Sequence, residues 1–181
     1  MKSLQELMNL CGRVALVTGG AGYIGRTICE ALAELGAGIV VADIAEGQCA
    51  KVAEQIHRRF GVESLPLVAD LCIEENVRLV PERIIDHLGR LDILVNCAAL
   101  VASSELKGWA VPFLEQRPEA WRSGLEINLT VPFTITQACT QILQESKHGS
   151  VVNISSIYGM VGPDMHLYEG IPLGNVAAYA A

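Results

Sequence analysis

The sequence predicts an α/β fold in which a doubly wound parallel sheet lies between two layers of helices. Short apolar runs without polar alternation recur along the 181 residues, and such runs are typical of strands buried on both faces of a parallel sheet. Stretches of helical periodicity separate these runs and supply the crossovers that parallel strands need. We therefore expect a single three-layer domain over residues 1–181, with residues 1–12 as a helical extension at its N-terminus.

Five strands are expected, separated by helices in regular alternation. The strands are predicted at residues 13–18, 39–42, 65–69, 91–95 and 150–154. The first helix follows a glycine turn, because Ile24, Ile28, Leu32 and Leu35 recur at helical spacing, and Gly36 closes it. Further helices are predicted at residues 46–59, 74–88 and 120–146, and residues 1–10 resemble a short amphipathic helix.

Composition excludes several classes of partner. The formal net charge is -7 and the isoelectric point is near 5.1, whereas nucleic acids and anionic membranes require a basic face. No apolar stretch is long enough to span a bilayer, and the first residues lack the apolar core of a signal peptide. Six scattered cysteines form no Cys-x-x-Cys pair, so we expect small buried hydrophobes in a reducing compartment. A cytoplasmic location is predicted.

Residues 18–25, with the sequence T-G-G-A-G-Y-I-G, form a glycine-rich turn between the first strand and the first helix. In this context Gly19, Gly22 and Gly25 permit a tight turn and a close approach of backbone amides to a pyrophosphate. Tyr23 and Ile24 begin the helix whose N-terminus attracts the phosphates. The pattern predicts a dinucleotide site, and the alternative is an ordinary glycine-rich turn.

Asp43 stands at the end of the second strand, where a carboxylate meets the adenosine ribose of a dinucleotide. Its two oxygens can accept both ribose hydroxyls, and its charge repels a 2′-phosphate. Ile44 and Ala45 offer no compensating cation, so NAD is preferred over NADP, although Arg26 is one nearby base that weakens this argument. The alternative is that Asp43 only caps the following helix.

Further segments of the sequence form one recognisable pattern together with the glycine turn. They are G-R-V-A-L-V-T-G at residues 12–19, Asp70 with Leu71 after the third strand, N-C-A-A at residues 96–99, Asn128 within I-N-L, and V-N-I-S-S at residues 152–156. Together they resemble the short-chain dehydrogenase/reductase family over essentially the whole chain. The resemblance implies a Rossmann fold that binds NAD(P), with the last strands of the family fold missing from these residues.

The same resemblance gives roles to residues along the cofactor. It implies that Asp70 and Leu71 contact the adenine, that Asn96 and Ala98 lie along the cofactor, and that Asn128 supports a proton relay through its backbone and a water. The alternative for both asparagines is that they satisfy buried backbone groups. Cys97 replaces the asparagine usual in the family, which puts in question how the fourth strand is held.

The catalytic residues implied by the resemblance are Ser156 and Tyr179. Ser156 matches the serine that hydrogen-bonds the substrate oxygen, and the alternative is a serine that only ends a strand. Tyr179 is the only tyrosine that can begin the Tyr-x-x-x-Lys motif of the family, because glycine and proline stand four residues after Tyr158 and Tyr168.

The lysine of that motif belongs two residues beyond Ala181. A free tyrosine has a pKa of about 10, so general acid/base catalysis near neutral pH needs a neighbouring cation. We expect the sequence to be part of a longer enzyme. The alternative is a natural short form that binds NAD and catalyses nothing.

Residues 102–118 and 162–176 depart from the shorter members of the family. Both follow carboxyl ends of strands, where doubly wound sheets bind ligands, so we expect them to roof a substrate pocket; surface loops or oligomer contacts are the alternative. The separation of Ser156 and Tyr179 approaches that of sugar-nucleotide epimerases and dehydratases. It favours a polar, sugar-like alcohol or ketone as the substrate.

Three functions are compatible with these residues. The leading one is reversible hydride transfer between the nicotinamide of NAD and a secondary alcohol or ketone. The second is NAD-dependent epimerisation or dehydration of a nucleotide-linked sugar, and the third is a non-catalytic NAD-binding protein. The family resemblance also implies a homodimer or homotetramer paired through residues 120–146, with no metal in the site.

Overall fold

A computed structural model describes residues 3–101 and 105–180. Its five strands form one parallel sheet in the order β3-β2-β1-β4-β5. The strands are β1 Val14–Thr18, β2 Gly38–Asp43, β3 Ser64–Val68, β4 Ile93–Asn96 and β5 Ser150–Asn153. The strand order reverses between β1 and β4, so the crevice at their carboxyl ends is the expected ligand site of a doubly wound sheet. The predicted fold class is confirmed.

Seven α-helices accompany these strands among the described residues. They are α1 Leu4–Met8, α2 Tyr23–Glu34, α3 Glu46–Phe60, α4 Glu74–Leu88, α5 Pro118–Leu125, α6 Val131–Glu145 and α7 Ala177–Ala180. The predicted bounds of α4 match, and the predicted strand ends lie within two residues of the observed ones. The long helix predicted at residues 120–146 is instead three consecutive pieces, because the π-helical turn Glu126–Thr130 joins α5 to α6.

The chain folds into two compact units, residues 1–98 with 133–153 and residues 99–132 with 154–181. In the first unit, α2 and α3 bury Cys29, Val52 and Ile56 against one face of the sheet. Helices α4 and α6 bury Ile84 and Ile135 against the other face. The unit therefore has the three predicted layers. The assignment of residues 1–181 to a single domain stays a prediction.

The second unit has its own small core around Trp109, whose side chain is 1% exposed. Its indole nitrogen donates to the carbonyl oxygen of Val101 over 2.8 Å. A Cβ atom at Gly124 would lie 2.6 Å from the indole ring and 3.0 Å from Cβ of Ala178. The absence of a side chain at Gly124 therefore lets α5 approach both the tryptophan and α7.

Two cysteines correct the prediction that all six are buried. Cys11 and Cys72 are exposed, whereas Cys29, Cys49 and Cys139 are buried. Burial raises the pKa of Cys139 to about 12, so that thiol stays protonated and packs as a small hydrophobe. Within residues 3–101 and 105–180, no helix is both long and apolar enough to cross a membrane.

Asp92 is a fully buried carboxylate between α4 and β4. Its Oδ2 atom accepts hydrogen bonds from the backbone amide of Val14 over 2.9 Å and from Arg90 Nε over 2.8 Å. Desolvation raises the pKa of this carboxyl, but the hydrogen bonds from Arg90 and Val14 outweigh it and hold the pKa below its ordinary value of 3.8. The carboxylate therefore links the beginning of β1 to the beginning of β4.

Replacing Asp92 with alanine is expected to lower the free energy of unfolding at pH 7 by about 2 kcal/mol, because the Val14 amide loses its buried acceptor. Since the folded pKa is lowered, this stability is present above the ordinary pKa of 3.8 and is lost as the pH falls through the folded pKa. Urea unfolding at several pH values measures both effects. Asp86→Ala, which removes an exposed carboxylate from α4, is the control. If the difference in unfolding free energy between Asp92→Ala and the wild type stays constant through the acid range, the linkage to the Asp92 pKa is contradicted.

Candidate active site

Gly19 and Gly25 bring three backbone segments into contact at the end of β1. Gly19 has a φ of +65°, and a Cβ atom there would lie 2.8 Å from the Cα atom of Ala98. A Cβ atom at Gly25 would press into the carbonyl oxygen of Gly19. The turn is therefore packed against the segment after β4 and against its own helix, as the glycine pattern predicts.

The N-terminus of α2 is open to a ligand. Gly22 is its N-cap, and no side chain among the described residues caps the helix. Tyr23 is 99% exposed and Ile24 is also exposed, so both side chains at the start of the helix extend into solvent. A helix N-terminus with uncapped amides is a favourable position for phosphate groups.

Asp43 ties the end of β2 to the glycine turn. Its Oδ2 atom accepts from the backbone amide of Ala21 over 3.0 Å, and its Oδ1 atom accepts from the amide of Ala45 over 3.1 Å. Ala45 is the N-cap of α3, and no side chain in the described part of the chain caps that helix. The Asp43 side chain thus bonds both the glycine turn and the amide of the N-cap residue of α3. Ile44 beside it is 68% exposed.

Arg26 is directed into an ion pair on the surface of α2. Its Nε atom lies 2.9 Å from a carboxylate oxygen of Glu30, and the other oxygen of Glu30 lies 3.1 Å from Arg59. Glu30 thus holds the Arg26 side chain on the surface of α2, but its one carboxylate is shared with Arg59, so part of the positive charge stays uncompensated.

Thr18 holds the segment after β4 against β1, a role that the sequence pattern does not reveal. Its Oγ1 atom accepts from the amides of Cys97 and Ala98 over 3.0 and 3.1 Å. These bonds use backbone donors, so the cysteine at position 97 leaves them in place. A threonine at the end of a strand is a general signal for side chain to backbone bonding, but its partners lie about 80 residues away.

Asn96 joins β4 to β5 at the same edge. Its Nδ2 atom donates to Asn153 Oδ1 over 2.8 Å and to Thr136 Oγ1 over 3.1 Å. These partners are side chains, in contrast to the backbone groups of the alternative interpretation. The residue is 3% exposed, and its Oδ1 atom has no donor among the described residues.

Asp70 and Leu71 follow β3. Asp70 Oδ1 accepts from the amide of Cys72 over 3.0 Å, and its carbonyl oxygen accepts from Asn76 over 2.9 Å. The side chain of Leu71 is partly buried against the apolar cluster under α4. The carboxyl ends of β1, β2, β3 and β4 thus bring Gly19, Asp43, Asp70 and Asn96 to one edge of the sheet.

Asn128 lies in the π-helical turn of the second unit. Its Oδ1 atom accepts from the amide of Leu100 over 2.8 Å, and its Nδ2 atom donates to the carbonyl of Leu100 over 3.2 Å. The side chain therefore satisfies backbone groups, as the alternative interpretation expected. Its role in a proton relay stays a prediction, and π-helical turns are frequent at functional sites.

The structure brings the segments of Ser156 and Tyr179 together in the second unit. Ser156 Oγ accepts from the amide of Tyr158 over 3.2 Å, which opens the 3-10 turn Ile157–Gly159. Tyr179 lies in α7, packs against the cluster around Trp109 and is half-buried. Helix α7 packs directly on that 3-10 turn.

Tyr158 and Tyr168 follow Ser156 in the chain and do not fit the Tyr-x-x-x-Lys motif. The charge of Tyr168 raises the pKa of Tyr158, and burial, a hydrogen bond between the two phenols and the charge of Asp164 act in the same direction. A catalytic base near neutral pH needs a lowered tyrosine pKa. This environment therefore argues against Tyr158 as the proton carrier.

The segments 102–118 and 162–176 contact each other through Gln116, a residue that no sequence motif marks. Gln116 Nε2 donates to the carbonyl oxygens of Val111 over 3.1 Å and Asn175 over 2.6 Å. A groove of about 230 Å³ lies between the segments, lined by Pro112, Phe113, Met165, Tyr168, Glu169, Ile171, Leu173 and Gly174. Residues 102–104 lie outside the described residues.

The side chains of residues 3–101 and 105–180 include no cluster of three or more histidine, cysteine or acidic groups that could hold a metal ion. In the first unit, the polar groups at the carboxyl edge of the sheet are the Thr18 hydroxyl, the Asn96 amide and the carboxylates of Asp43 and Asp70. Such groups suit hydrogen bonding to a nucleotide.

Similarity to known proteins extends over most of the chain. A 3-oxoacyl-(acyl-carrier-protein) reductase of Aquifex aeolicus is 32% identical over 155 residues, which cover 86% of this chain and 60% of the relative. An NAD+-bound xylitol dehydrogenase is similar with a TM-score of 0.79 and 28% identity, over 94% of this chain and 59% of the other.

A gluconate 5-dehydrogenase of Burkholderia cenocepacia in complex with NADP and tartrate is similar with a TM-score of 0.81 and 28% identity, over 98% of this chain and 63% of the other. The chain thus spans about three fifths of the length of the relatives it matches. The family model for short chain dehydrogenases matches residues 13–169. The chain therefore belongs to the short-chain dehydrogenase/reductase family.

Proposed function

We propose that the protein is an NAD(H)-dependent oxidoreductase that transfers a hydride between the nicotinamide and a secondary alcohol or ketone. The family binds NAD(P), and the similar proteins include a reductase and a dehydrogenase. The observation that carries the proposal is the carboxylate of Asp43 beside the Ala21 amide of the glycine turn. A negative charge at the end of β2 suits the hydroxyls of an adenosine ribose, which supports this proposal.

The charge around Asp43 supports NAD over NADP. A 2′-phosphate is repelled by the carboxylate, and neither Ile44 nor Ala45 provides a cation. Arg26, the nearby base, is held on the surface of α2 by Glu30, whose carboxylate it shares with Arg59. The similar structures contain both cofactors, since the xylitol dehydrogenase holds NAD+ and the gluconate 5-dehydrogenase holds NADP. The similar structures therefore do not decide between NAD and NADP, and the proposed preference for NAD depends on residues of this chain.

The residues of the turn fit the cofactor. Gly19, Gly22 and Gly25 would surround its phosphates at the uncapped end of α2, and Asp43 would accept hydrogen bonds from its ribose. Bound NAD supplies the hydride acceptor or donor. Asn96 and Ala98 would line its course along β4, while Asp70 and Leu71 would meet the adenine.

The chain itself supplies the proton chemistry. The hydroxyl of Ser156 would donate a hydrogen bond to the substrate oxygen, and the hydroxyl of Tyr179 would exchange a proton with that oxygen. When an alcohol is oxidised, its O–H proton would pass to the deprotonated oxygen of Tyr179 while the C–H hydride leaves for the nicotinamide and the carbonyl forms. The backbone at Asn128 would pass the proton on through a water.

The substrate we propose is a sugar-like alcohol or ketone. The likeness to a xylitol dehydrogenase and to a gluconate 5-dehydrogenase supports a polyhydroxylated substrate. Tyr168 and Glu169 give the groove of the second unit two polar groups that can bind hydroxyls. We further propose that two or four copies pair through α5 and α6. Phe133 on α6 is 65% exposed and offers an apolar side chain for such a contact. A cytoplasmic location is also part of the proposal.

Cofactor choice is tested by Asp43→Asn, which keeps the shape of the side chain and removes its charge. The variant is expected to bind NADH about tenfold more weakly, because a charge-assisted bond to the ribose is lost, and to lose its discrimination against NADPH. Fluorescence titration with each cofactor measures the two dissociation constants. Glu46→Gln, at the exposed start of α3, controls for the change in net charge. If the ratio of the NADH and NADPH dissociation constants is unchanged in Asp43→Asn, the role of Asp43 is refuted.

A further inference from the structure

Gln116 uses both ends of its side-chain amide to join two distant segments. Its Nε2 atom donates to the carbonyl oxygens of Val111 and Asn175, and its Oε1 atom accepts from the backbone amide of Ala177 over 3.2 Å. The residue is partly buried, so these bonds are shielded from water. The contact spans about 60 residues of sequence.

Two of these bonds reach the beginning of the helix that carries Tyr179. Ala177 is the first residue of α7, and its amide is one of the donors that a helix leaves without a partner at its N-terminus. Asn175 stands two residues before it, and its side chain donates to the Tyr168 hydroxyl over 3.3 Å. The backbone that leads into α7 is thus held by Gln116 on one side and, through the Asn175 side chain, by Tyr168 on the other.

Two kinds of contact hold the first turn of α7. Ala178 packs in the apolar cluster around Trp109, and a Cβ atom at Gly124 would lie 3.0 Å from Cβ of Ala178. Gln116 adds a side-chain acceptor for the first amide of the helix, a position at which the helix itself offers no partner. The hydrogen bonds of Gln116 therefore help to fix the start of the helix that carries Tyr179.

We infer that Gln116 is a positioning residue for Tyr179, acting through the backbone of Asn175 and Ala177 to hold the tyrosine in its reactive orientation. The inference rests on the proposed function, in which Tyr179 carries the proton. Gln116 touches neither substrate nor cofactor in this role. Replacing Gln116 is therefore expected to slow the chemical step and to leave cofactor binding unchanged.

Only glutamine among the common side chains meets the three bonds at once. Glutamate has the same length but donates no hydrogen bond, and it would direct a carboxylate oxygen at the carbonyl of Asn175, which now lies 2.6 Å from Nε2. Methionine has a similar length and neither donates nor accepts strongly. The two variants therefore separate repulsion from simple loss of the bonds.

The test measures steady-state kinetics of the full-length protein with Gln116→Glu and Gln116→Met. For both variants kcat is expected to fall between about tenfold and a hundredfold, as a displacement of a reactive group allows, while KM and the NADH dissociation constant stay within about twofold. Gln144→Glu, an exposed glutamine on α6, is the matched control. Melting curves confirm that each variant is folded, and Gln116→Met provides the measurement if the glutamate variant does not fold.

A double-mutant cycle with Tyr179→Phe decides whether Gln116 acts through the tyrosine. If it does, Gln116→Met lowers the residual rate of Tyr179→Phe no further, because residues that act as a unit are not additive. An equal loss of kcat on both backgrounds, or a loss of NADH binding, would overturn the inference. Full turnover by Tyr179→Phe would instead refute the proposed function, so the two failures are distinguishable.

Discussion

Replacing Tyr179 with phenylalanine is expected to lower kcat of the full-length protein about 10³-fold, which corresponds to about 4 kcal/mol in the barrier. The variant keeps the ring that packs on Trp109 and removes only the hydroxyl that exchanges the proton. NADH binding should therefore be unchanged, because the glycine turn and Asp43 are intact. Stopped-flow single turnovers together with NADH titration measure both quantities.

Tyr158→Phe is the matched control for this substitution. It removes a phenol hydroxyl near Ser156 while keeping the Tyr158 amide that donates to Ser156 Oγ. The raised pKa of Tyr158 keeps its phenol protonated near neutral pH, so it offers little phenolate to accept a proton and its loss should leave kcat within about twofold. A large loss of kcat with Tyr158→Phe and full activity with Tyr179→Phe would reassign the proton carrier.

Gly19→Ala is expected to lower the free energy of unfolding by about 3 kcal/mol. Part of this loss is the cost of a left-handed backbone for a residue with a Cβ atom, about 1 kcal/mol. The rest arises because the new methyl group would lie 2.8 Å from the Cα atom of Ala98, and backbone that is packed this closely moves only at a cost. Thermal and urea unfolding measure the loss.

Gly61→Ala separates the two contributions to that cost. Gly61 ends α3 with a φ of +70°, and a Cβ atom there would meet nothing within 4 Å. The control should therefore lose only about 1 kcal/mol, the conformational part. Equal losses for the two variants would show that the packing of the turn against Ala98 is loose.

The sheet and the glycine turn were predictable because their signals are local. A strand such as Val14–Thr18 and the helix after it are encoded by side chains within one βα unit, and Gly19 marks the turn between them. The Asp43 position follows from the end of β2 in the same way. Parallel pairing then brings these strand ends to one edge without further information from the sequence.

Interactions between distant segments were not predictable from one sequence. Thr18 meets the amide of Ala98, and Gln116 meets Ala177; neither partner is marked by spacing or by residue type. The exposure of Cys11 and Cys72 was missed for a similar reason, since a free cysteine is most often buried. The π-helical turn around Asn128 was not predicted either, because the apolar residues on both sides of it are spaced as in one continuous helix.

The bond between Asp43 and Ala21 also bears on the thermodynamics of ligand capture. A loop that becomes ordered only around its ligand loses conformational entropy during binding, and this loss weakens the affinity. Here the turn is already fixed by Asp43 from β2, by Gly25 from α2 and by Thr18 through the segment after β4. Little order remains to be gained at the turn when a dinucleotide arrives, so the entropy of ordering the turn subtracts little from its affinity.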